Sequence, residues 1–204
     1  YNSILKKINY FISDIDFLST GAMISIDYNY NKPTIQNTNS FIDVTELRHP
    51  IVEKINNDTE YITNDIILGK DVDGILLYGT NACGKSTFMK AIGLNLVLAQ
   101  AGLYVSCKKF IFSPYTQIFT RILNNDNIFK SQSTFAVEIE ELRGILDRAD
   151  DSSLVLGDEL CSGTETISAL SIVTAGLILL SKKKSTFIFT SHLHQLTDID
   201  DIKN

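Results

Sequence analysis

The sequence predicts an α/β fold with a central, mostly parallel sheet flanked by helices, and three stretches carry that expectation. Ile75-Leu76-Leu77-Tyr78 is a short apolar strand that runs into GTNACGKST at 79–87 and then into a helical stretch over 88–101. That is the strand-loop-helix order of a phosphate loop, and the string fits G-x-x-x-x-G-K-[ST]. Ser153-Leu154-Val155-Leu156-Gly157 reads as a buried strand that ends in two acids, Asp158 and Glu159. Ser185-Thr186-Phe187-Ile188-Phe189-Thr190 is rich in β-formers and delivers Ser191 and His192 at its end. Polar chemistry gathered where apolar strands finish is how a parallel sheet builds a ligand crevice.

Composition bounds the rest. With 204 residues, 44% hydrophobic and 21% charged, the chain can bury one good core. It opens on Tyr1 with an apolar run beginning at once, and so reads as a piece of something longer. No stretch approaches the roughly 20 uncharged apolar residues of a membrane span, and the nearest, 169–180, is too short. Cys83, Cys107 and Cys161 are odd in number and far apart, which suits a reducing intracellular compartment better than a disulfide framework or zinc site. A formal net charge of -6 argues against this segment gripping nucleic acid by itself. The basic run Lys182-Lys183-Lys184 reads as a solvated helix end.

In chain order, Ile4, Ile8, Phe11, Ile15, Leu18 and Ala22 form a helical stripe with a polar remainder, as in a packing helix. Residues 28–40, with Pro33 and many Asn, read as a loop before the apolar segment 41–44. His49, set before Pro50, reads as a turn residue rather than a ligand. In Tyr61-Ile62-Thr63-Asn64-Asp65-Ile66 the aromatic ring can stack on a base and Asn64 can read its edge, and a surface strand end is an equal alternative. Strands are expected at 104–107 and 118–122, joined through Pro114. Phe135, Ile139, Leu142, Leu146 and Ala149 mark an amphipathic helix whose other face carries Glu138, Glu141 and Asp147, solvated acids with Glu138 set apart as an exception. A Gly-containing turn at 161–165 leads to an apolar helix over 167–180.

The candidate chemistry is that of a nucleoside triphosphate with Mg²⁺. In the loop Gly79, Thr80, Asn81, Ala82, Cys83, Gly84, Lys85, Ser86 and Thr87, glycines let successive backbone N–H groups face phosphate oxygens. Lys85 supplies a mobile cation for the outer phosphates and Ser86 a hydroxyl for Mg²⁺, with the positive end of the following helix behind them. Asp158 is the second expected metal residue, and Glu159 the base that orients and deprotonates water. His192 is the candidate sensor of the terminal phosphate. His194 is a weaker one, and the two histidines lack the further ligands of a metal site.

Together these stretches resemble the ATPase domain of the MutS family of DNA mismatch-repair proteins. The resemblance rests on TELRHPIVE (45–53), YITNDI (61–66), GTNACGKST with AGLYV (101–105), IFTRI (118–122), QSTFAVEI (132–139), LVLGDELCSGTET (154–166) and TSHLHQL (190–196). It implies a P-loop NTPase of ABC type spanning 41–204, preceded at 1–40 by the end of a long lever helix and its connection. It further implies ATP and Mg as cofactors, ATP and ADP as the bound nucleotides, and a homo- or heterodimer formed through the ATPase face. DNA would be held by upstream domains, and no membrane is involved. Tyr61 would stack on adenine, with Asn64, Asp65 and Ile66 at or beside the base. Ser133 and Thr134 would reach the partner's nucleotide, and Ser162-Gly163-Thr164 would lie at the dimer seam. Lys85, Glu159 and His192 form the catalytic set. Thr80 stands where many members have Pro, Ala82-Cys83 where they have Met-Gly, and Cys161-Ser162-Gly163 where Gly-Arg-Gly is usual. A relative that uses ATP to latch a clamp on DNA junctions, without reading mismatches, is the competing expectation.

Overall fold

The computed structural model describes residues 2–55, 60–80, 83–122, 134–160, 166–192 and 195–196, with the backbone alone at 134 and 166. Among the described residues eight strands form two four-stranded sheets. The first sheet contains β1 (Thr34–Ile35), β2 (Phe41–Leu47), β3 (Asn64–Leu68) and β5 (Lys109–Ser113) in the order β1-β5-β2-β3. β2 runs antiparallel to both β3 and β5, while the two-residue β1 pairs with β5 in parallel. The second sheet contains β4 (Gly74–Tyr78), β6 (Gln117–Arg121), β7 (Ser153–Gly157) and β8 (Thr186–Ser191) in the order β4-β8-β7-β6, with every pair parallel. The parallel sheet is the one expected from the sequence; the mostly antiparallel one is an addition to that expectation.

Alternation along the strands sorts the core into two layers. On β7, Leu154 and Leu156 face the antiparallel sheet's side, and with Ile188 of β8 they pack into a cluster with Ile42, Val44, Leu68, Phe110 and Phe112. Between the sheets lies α3 (Lys85–Gln100), which gives Met89, Ile92 and Leu96 to that cluster. A helix covered on two sides needs apolar residues around most of its circumference, and only four described positions in its last ten, Leu94, Val97, Leu98 and Gln100, are not buried. Gly93 makes the contact with the sheet possible, since a Cβ there would stand 2.6 Å from Leu156 Cδ1. On the opposite face Val155, Phe187 and Phe189 pack under α4 (Thr134–Arg148) and α5 (Thr166–Lys182) through Leu142, Ile145, Val173 and Leu177. Each such fully buried Leu, Ile or Phe is worth about 1.5–3 kcal/mol over its exposed state.

The expected strand at 104–107 is absent as a strand, with only Val105 making a bridge, to Asn31. The strand is β5, where Phe110 and Phe112 alternate into the core and Pro114 follows the last residue. The reason is local: the Ser106 N–H donates to the Asn95 side chain at 2.7 Å instead of entering a ladder. The four-residue helix α2 (Val52–Ile55) and β1 add to the sequence reading, and β2 extends three residues beyond the segment ending at Val44. The first element, α1 (Asn2–Asp27), is the helix that its stripe predicts, but it does not pack along its length. Ile4, Ile8, Phe11, Ile15 and Leu18 are all exposed, and Ser25 is its only buried residue. No helix among the described residues is long and apolar enough to cross a membrane.

Candidate functional site

The order β4-β8-β7 places three carboxyl ends side by side, and each of them leads into predicted site residues. From β4 the chain enters the loop at Gly79, and α3 begins at Lys85. Gly84 caps that helix in the left-handed region at φ +94°, with open space where a Cβ would sit, so backbone conformation rather than crowding demands glycine. The first turn of α3 has no acidic residue and no side-chain cap, which leaves its N–H groups without a competing anion of their own. Lys85 Nζ folds back across the loop and donates to the carbonyls of Gly79 at 2.8 Å and Thr80 at 2.9 Å. Cys83 is exposed, with its sulfur 3.9 Å from the same nitrogen. Thr87 is half-buried in the first turn.

Asp158 joins this loop to the neighbouring strands. Its carboxyl oxygen Oδ1 accepts from Ser86 Oγ at 2.6 Å and from Thr190 Oγ1 at 2.7 Å. The side chain is nearly buried, at 7% exposure, and among the described residues no Lys, Arg or His pairs with it. A desolvated carboxylate whose partners are two neutral hydroxyls, beside a helix N-terminus, is a donor set that fits a hard divalent cation. Among the described residues there is no cluster of three or more His, Cys, Asp or Glu able to cage a metal.

Thr190 also positions the next acid. The Glu159 N–H is shared between Thr190 Oγ1 at 2.9 Å and the Thr190 carbonyl at 3.2 Å. Glu159 takes a left-handed backbone, φ +48°, which turns its side chain out of the strand direction. His192 Nε2 then lies 2.6 Å from Glu159 Oε1, and both side chains are partly exposed. Facing a carboxylate, Nε2 is the nitrogen that carries the proton. Sequence reading places Thr190 only as a strand residue; its signal is a hydroxyl that directly follows the apolar run Phe187-Ile188-Phe189 and precedes Ser191 and His192.

The base-side candidates divide. Tyr61 is half-buried, and burial is the first cause that raises its hydroxyl pKa, with the Glu53 charge adding to it and the His49 backbone opposing. His49 beside it is buried, and its Nδ1 accepts the N–H groups of Ile51 and Val52 at 3.2 Å each, so it caps the turn into α2. Burial lowers the His49 pKa, and the charge of Lys90 on α3 lowers it further. Asn64 is exposed and donates to the Ile62 carbonyl at 3.3 Å. Asp65 Oδ1 accepts the Glu46 N–H at 2.7 Å, where the β2–β3 register shifts, and Ile66 is in the core opposite Val44. Asp65 is thereby occupied with the bulge, and Ile66 has only its backbone to offer a base.

Asn81, Ala82, Ser133, Ser162, Gly163, Thr164 and His194 lie outside the described residues, as does the Thr134 side chain. Of the helix acids, Glu138 is buried, while Glu141 pairs with Arg121 Nε at 3.0 Å and Asp147 approaches Arg143 at 3.8 Å. Arg121 ends β6 next to the Asp158 turn, its carbonyl accepting the Asp158 N–H at 2.8 Å.

Residues 75–204 match the family model described as MutS domain V. The chain is 40% identical to a protein of Acanthamoeba polyphaga mimivirus named as a DNA mismatch repair protein mutS homologue, over 100% of this chain and 22% of that one. It is 39% identical to the mitochondrial DNA mismatch repair protein mutS homologue of Sarcophyton glaucum, over 98% of this chain and 21% of that one. The DNA mismatch repair protein MutS of Finegoldia magna is 40% identical over 96% of this chain and 23% of its own length. The chain thus spans between a fifth and a quarter of the curated relatives it matches.

Proposed function

This chain belongs to the MutS family, as its domain V, and from that premise we propose that it is the ATP-binding and ATP-hydrolysing unit of a MutS-type DNA mismatch-repair protein. The observation that carries the proposal is the shared oxygen of Asp158, held by Ser86 from the phosphate-loop helix and by Thr190 from the neighbouring strand. It draws the phosphate loop, the acid-ended strand and the strand leading to His192 into one constellation.

Within it, the loop amides from Gly79 onward and the N-terminus of α3 receive the phosphates. Lys85 exchanges the Gly79 and Thr80 carbonyls for outer phosphate oxygens. Ser86 and Asp158 would hold Mg²⁺, which when bound neutralises charge on the phosphates. Glu159 orients the attacking water and takes its proton, and His192 holds Glu159 in place and faces the terminal phosphate. Tyr61 stacks on the adenine, with Asn64 at its edge and the backbone of Asp65 and Ile66 beside it. Ser133 and Thr134 reach the nucleotide of a partner subunit, with Ser162, Gly163 and Thr164 at the seam. Residues 1–40 are the lever end and connection, 41–204 the ATPase, and DNA is gripped upstream. An acidic chain of net charge -6 suits that division of labour.

The test is exchange of bound ADP for ATP by the full-length protein, on matched duplex and on the same duplex with one mismatch. Faster exchange on the mismatch supports the proposal. Equal exchange with an active ATPase moves the domain to a relative acting on another nucleic-acid structure, and no ATP binding sinks the assignment.

A further inference from the structure

α1 is an exposed rod fixed at one end. Its 26 residues span about 39 Å at 1.5 Å per residue. Its anchorage lies at the C-terminal base, where Gly21 approaches Leu103, Asn31 pairs with Val105, and Asn31 Nδ2 donates to the Cys107 carbonyl at 2.7 Å. Beside them Lys54 Nζ lies 3.6 Å from the centre of the Tyr28 ring and the Tyr30 hydroxyl 3.5 Å from the Pro50 carbonyl, and Arg48 adds the contact made through several hydrogen bonds. Its guanidinium donates to the Asn29 carbonyl at 2.8 Å and lies 3.4 Å from the Tyr28 carbonyl, both in the turn that follows the last helical residue, Asp27. A third partner, Glu53, is nearly buried and pairs with Nη1 at 2.9 Å, while the Tyr30 ring lies 5.8 Å from Arg48 Cζ. One side chain therefore grips the base of the rod by a fork of hydrogen bonds and a stacked ring.

The main chain of Arg48 is tied in the other direction, to the phosphate-loop helix. Its carbonyl accepts from Asn95 Nδ2 at 3.1 Å and from Ser106 Oγ at 2.8 Å, and its N–H donates to the Ser106 carbonyl at 2.8 Å. Asn95 is wholly buried on α3 and fully used, also donating to the Ala91 carbonyl at 2.9 Å and accepting the Ser106 N–H. If α3 shifts, it must carry the Arg48 backbone with it or leave buried polar groups unpaired. The route is short: Lys85 and Ser86 open α3, Asn95 lies on the same helix, Arg48 follows, and then comes the end of α1. A rotation of about 5° at that base would move the far tip by roughly 3 Å, from the length of the rod.

We propose that Arg48 is the joint through which the phosphate-loop helix turns the base of α1, so that nucleotide bound at Lys85 and Ser86 resets the pose of that helix. This rests on the ATP-binding reading of the same site. It makes Arg48 a positioning residue, remote from the reacting atoms, and Asn95 with Ser106 the clamp that holds it.

The test is hydrogen–deuterium exchange of the Tyr28, Tyr30 and Asn31 amides in the full-length protein, with and without ATP, for the wild type and Arg48→Lys. Lysine keeps the charge and loses the fork. In the wild type ATP changes exchange at these amides by about fivefold or more. In Arg48→Lys that ratio falls to about one while ATP affinity stays within roughly twofold. A merely structural tether would speed exchange equally with and without ATP and keep the ratio, so an unchanged ratio overturns the proposal. If Arg48→Lys does not fold, Ser106→Ala, which removes one of two donors to the Arg48 carbonyl, carries the test; a wild-type ratio there overturns it equally. Wild-type protein that binds ATP without altering these amides refutes the joint and leaves the ATP site standing. Protein that binds no ATP refutes both.

Discussion

His192 Nε2 and Glu159 Oε1 stand 2.6 Å apart, a contact that ties the residue after β8 to the turn after β7. The pair separates two roles that a lone acid would have to combine. Glu159→Gln keeps the shape and can still pair with His192, but it removes the base, so ATP hydrolysis should fall by on the order of 10²–10⁴ with ATP affinity nearly unchanged. His192→Ala leaves the base and frees its orientation, and a smaller loss is expected. Single-turnover hydrolysis beside equilibrium ATP binding separates the two. A Glu159→Gln protein that hydrolyses at the wild-type rate removes Glu159 from the mechanism.

Thr190→Val tests the bridge between the two acids. Valine matches the threonine in shape but leaves Asp158 Oδ1 with Ser86 alone and the Glu159 N–H with the Thr190 carbonyl alone. Loss of a buried hydroxyl in such a network costs about 1–3 kcal/mol. The expected outcome is a lower melting temperature and a higher Mg²⁺ requirement for hydrolysis, with ATP binding retained. A Mg²⁺ titration that overlays the wild type would place Thr190 outside the site.

The parallel half of the fold was legible because buried strands and their polar exits are local signals: 75–78, 153–157 and 185–190 each pair an apolar run with chemistry at its end. The antiparallel sheet was harder. β5 opens on Lys109, directly after Lys108, and the apolar Val105 and Cys107 ahead of these lysines place the expected strand a few residues early. What decides the boundary is Asn95, ten or more positions away, whose side chain takes the Ser106 N–H out of any ladder. Likewise, the apolar stripe of α1 told of a helix but not of a partner, because a pattern records which face avoids water and not what covers it. Thr190 escaped for the converse reason: strand propensity already explains a threonine there.

His49 gives a pH dependence whose sign can be worked out. Burial lowers its pKa below the ordinary 6.5, the Lys90 charge lowers it further, and its own backbone hydrogen bond opposes them. Between the lowered folded value and 6.5 the unfolded chain binds more protons, so stability is full above 6.5 and is lost as pH falls below it. The structural cause is that a protonated Nδ1 can no longer accept the Ile51 and Val52 N–H groups. Denaturant midpoints measured from pH 7.5 down to about 5 should decline in the wild type, and more gently in His49→Gln. Parallel declines in both proteins would assign the loss to other groups.

Gly84→Ala isolates backbone conformation from contact. A Cβ at Gly84 would meet nothing within 4 Å, so the substitution creates no clash with a neighbouring group. It does force alanine to φ +94° at the start of α3, a region that L-residues avoid at a cost of roughly 1–2 kcal/mol. The chain can relieve that strain only by turning the 83–84 backbone, which moves the N–H groups that lead into Lys85 and Ser86. Stability should therefore drop by about that amount, and ATP affinity should drop by more than the strain alone would require, because loop geometry and phosphate contact change together. Thermal unfolding with and without ATP distinguishes these effects: an ATP-induced rise in melting temperature equal to that of the wild type would mean that the Gly84 conformation serves folding alone.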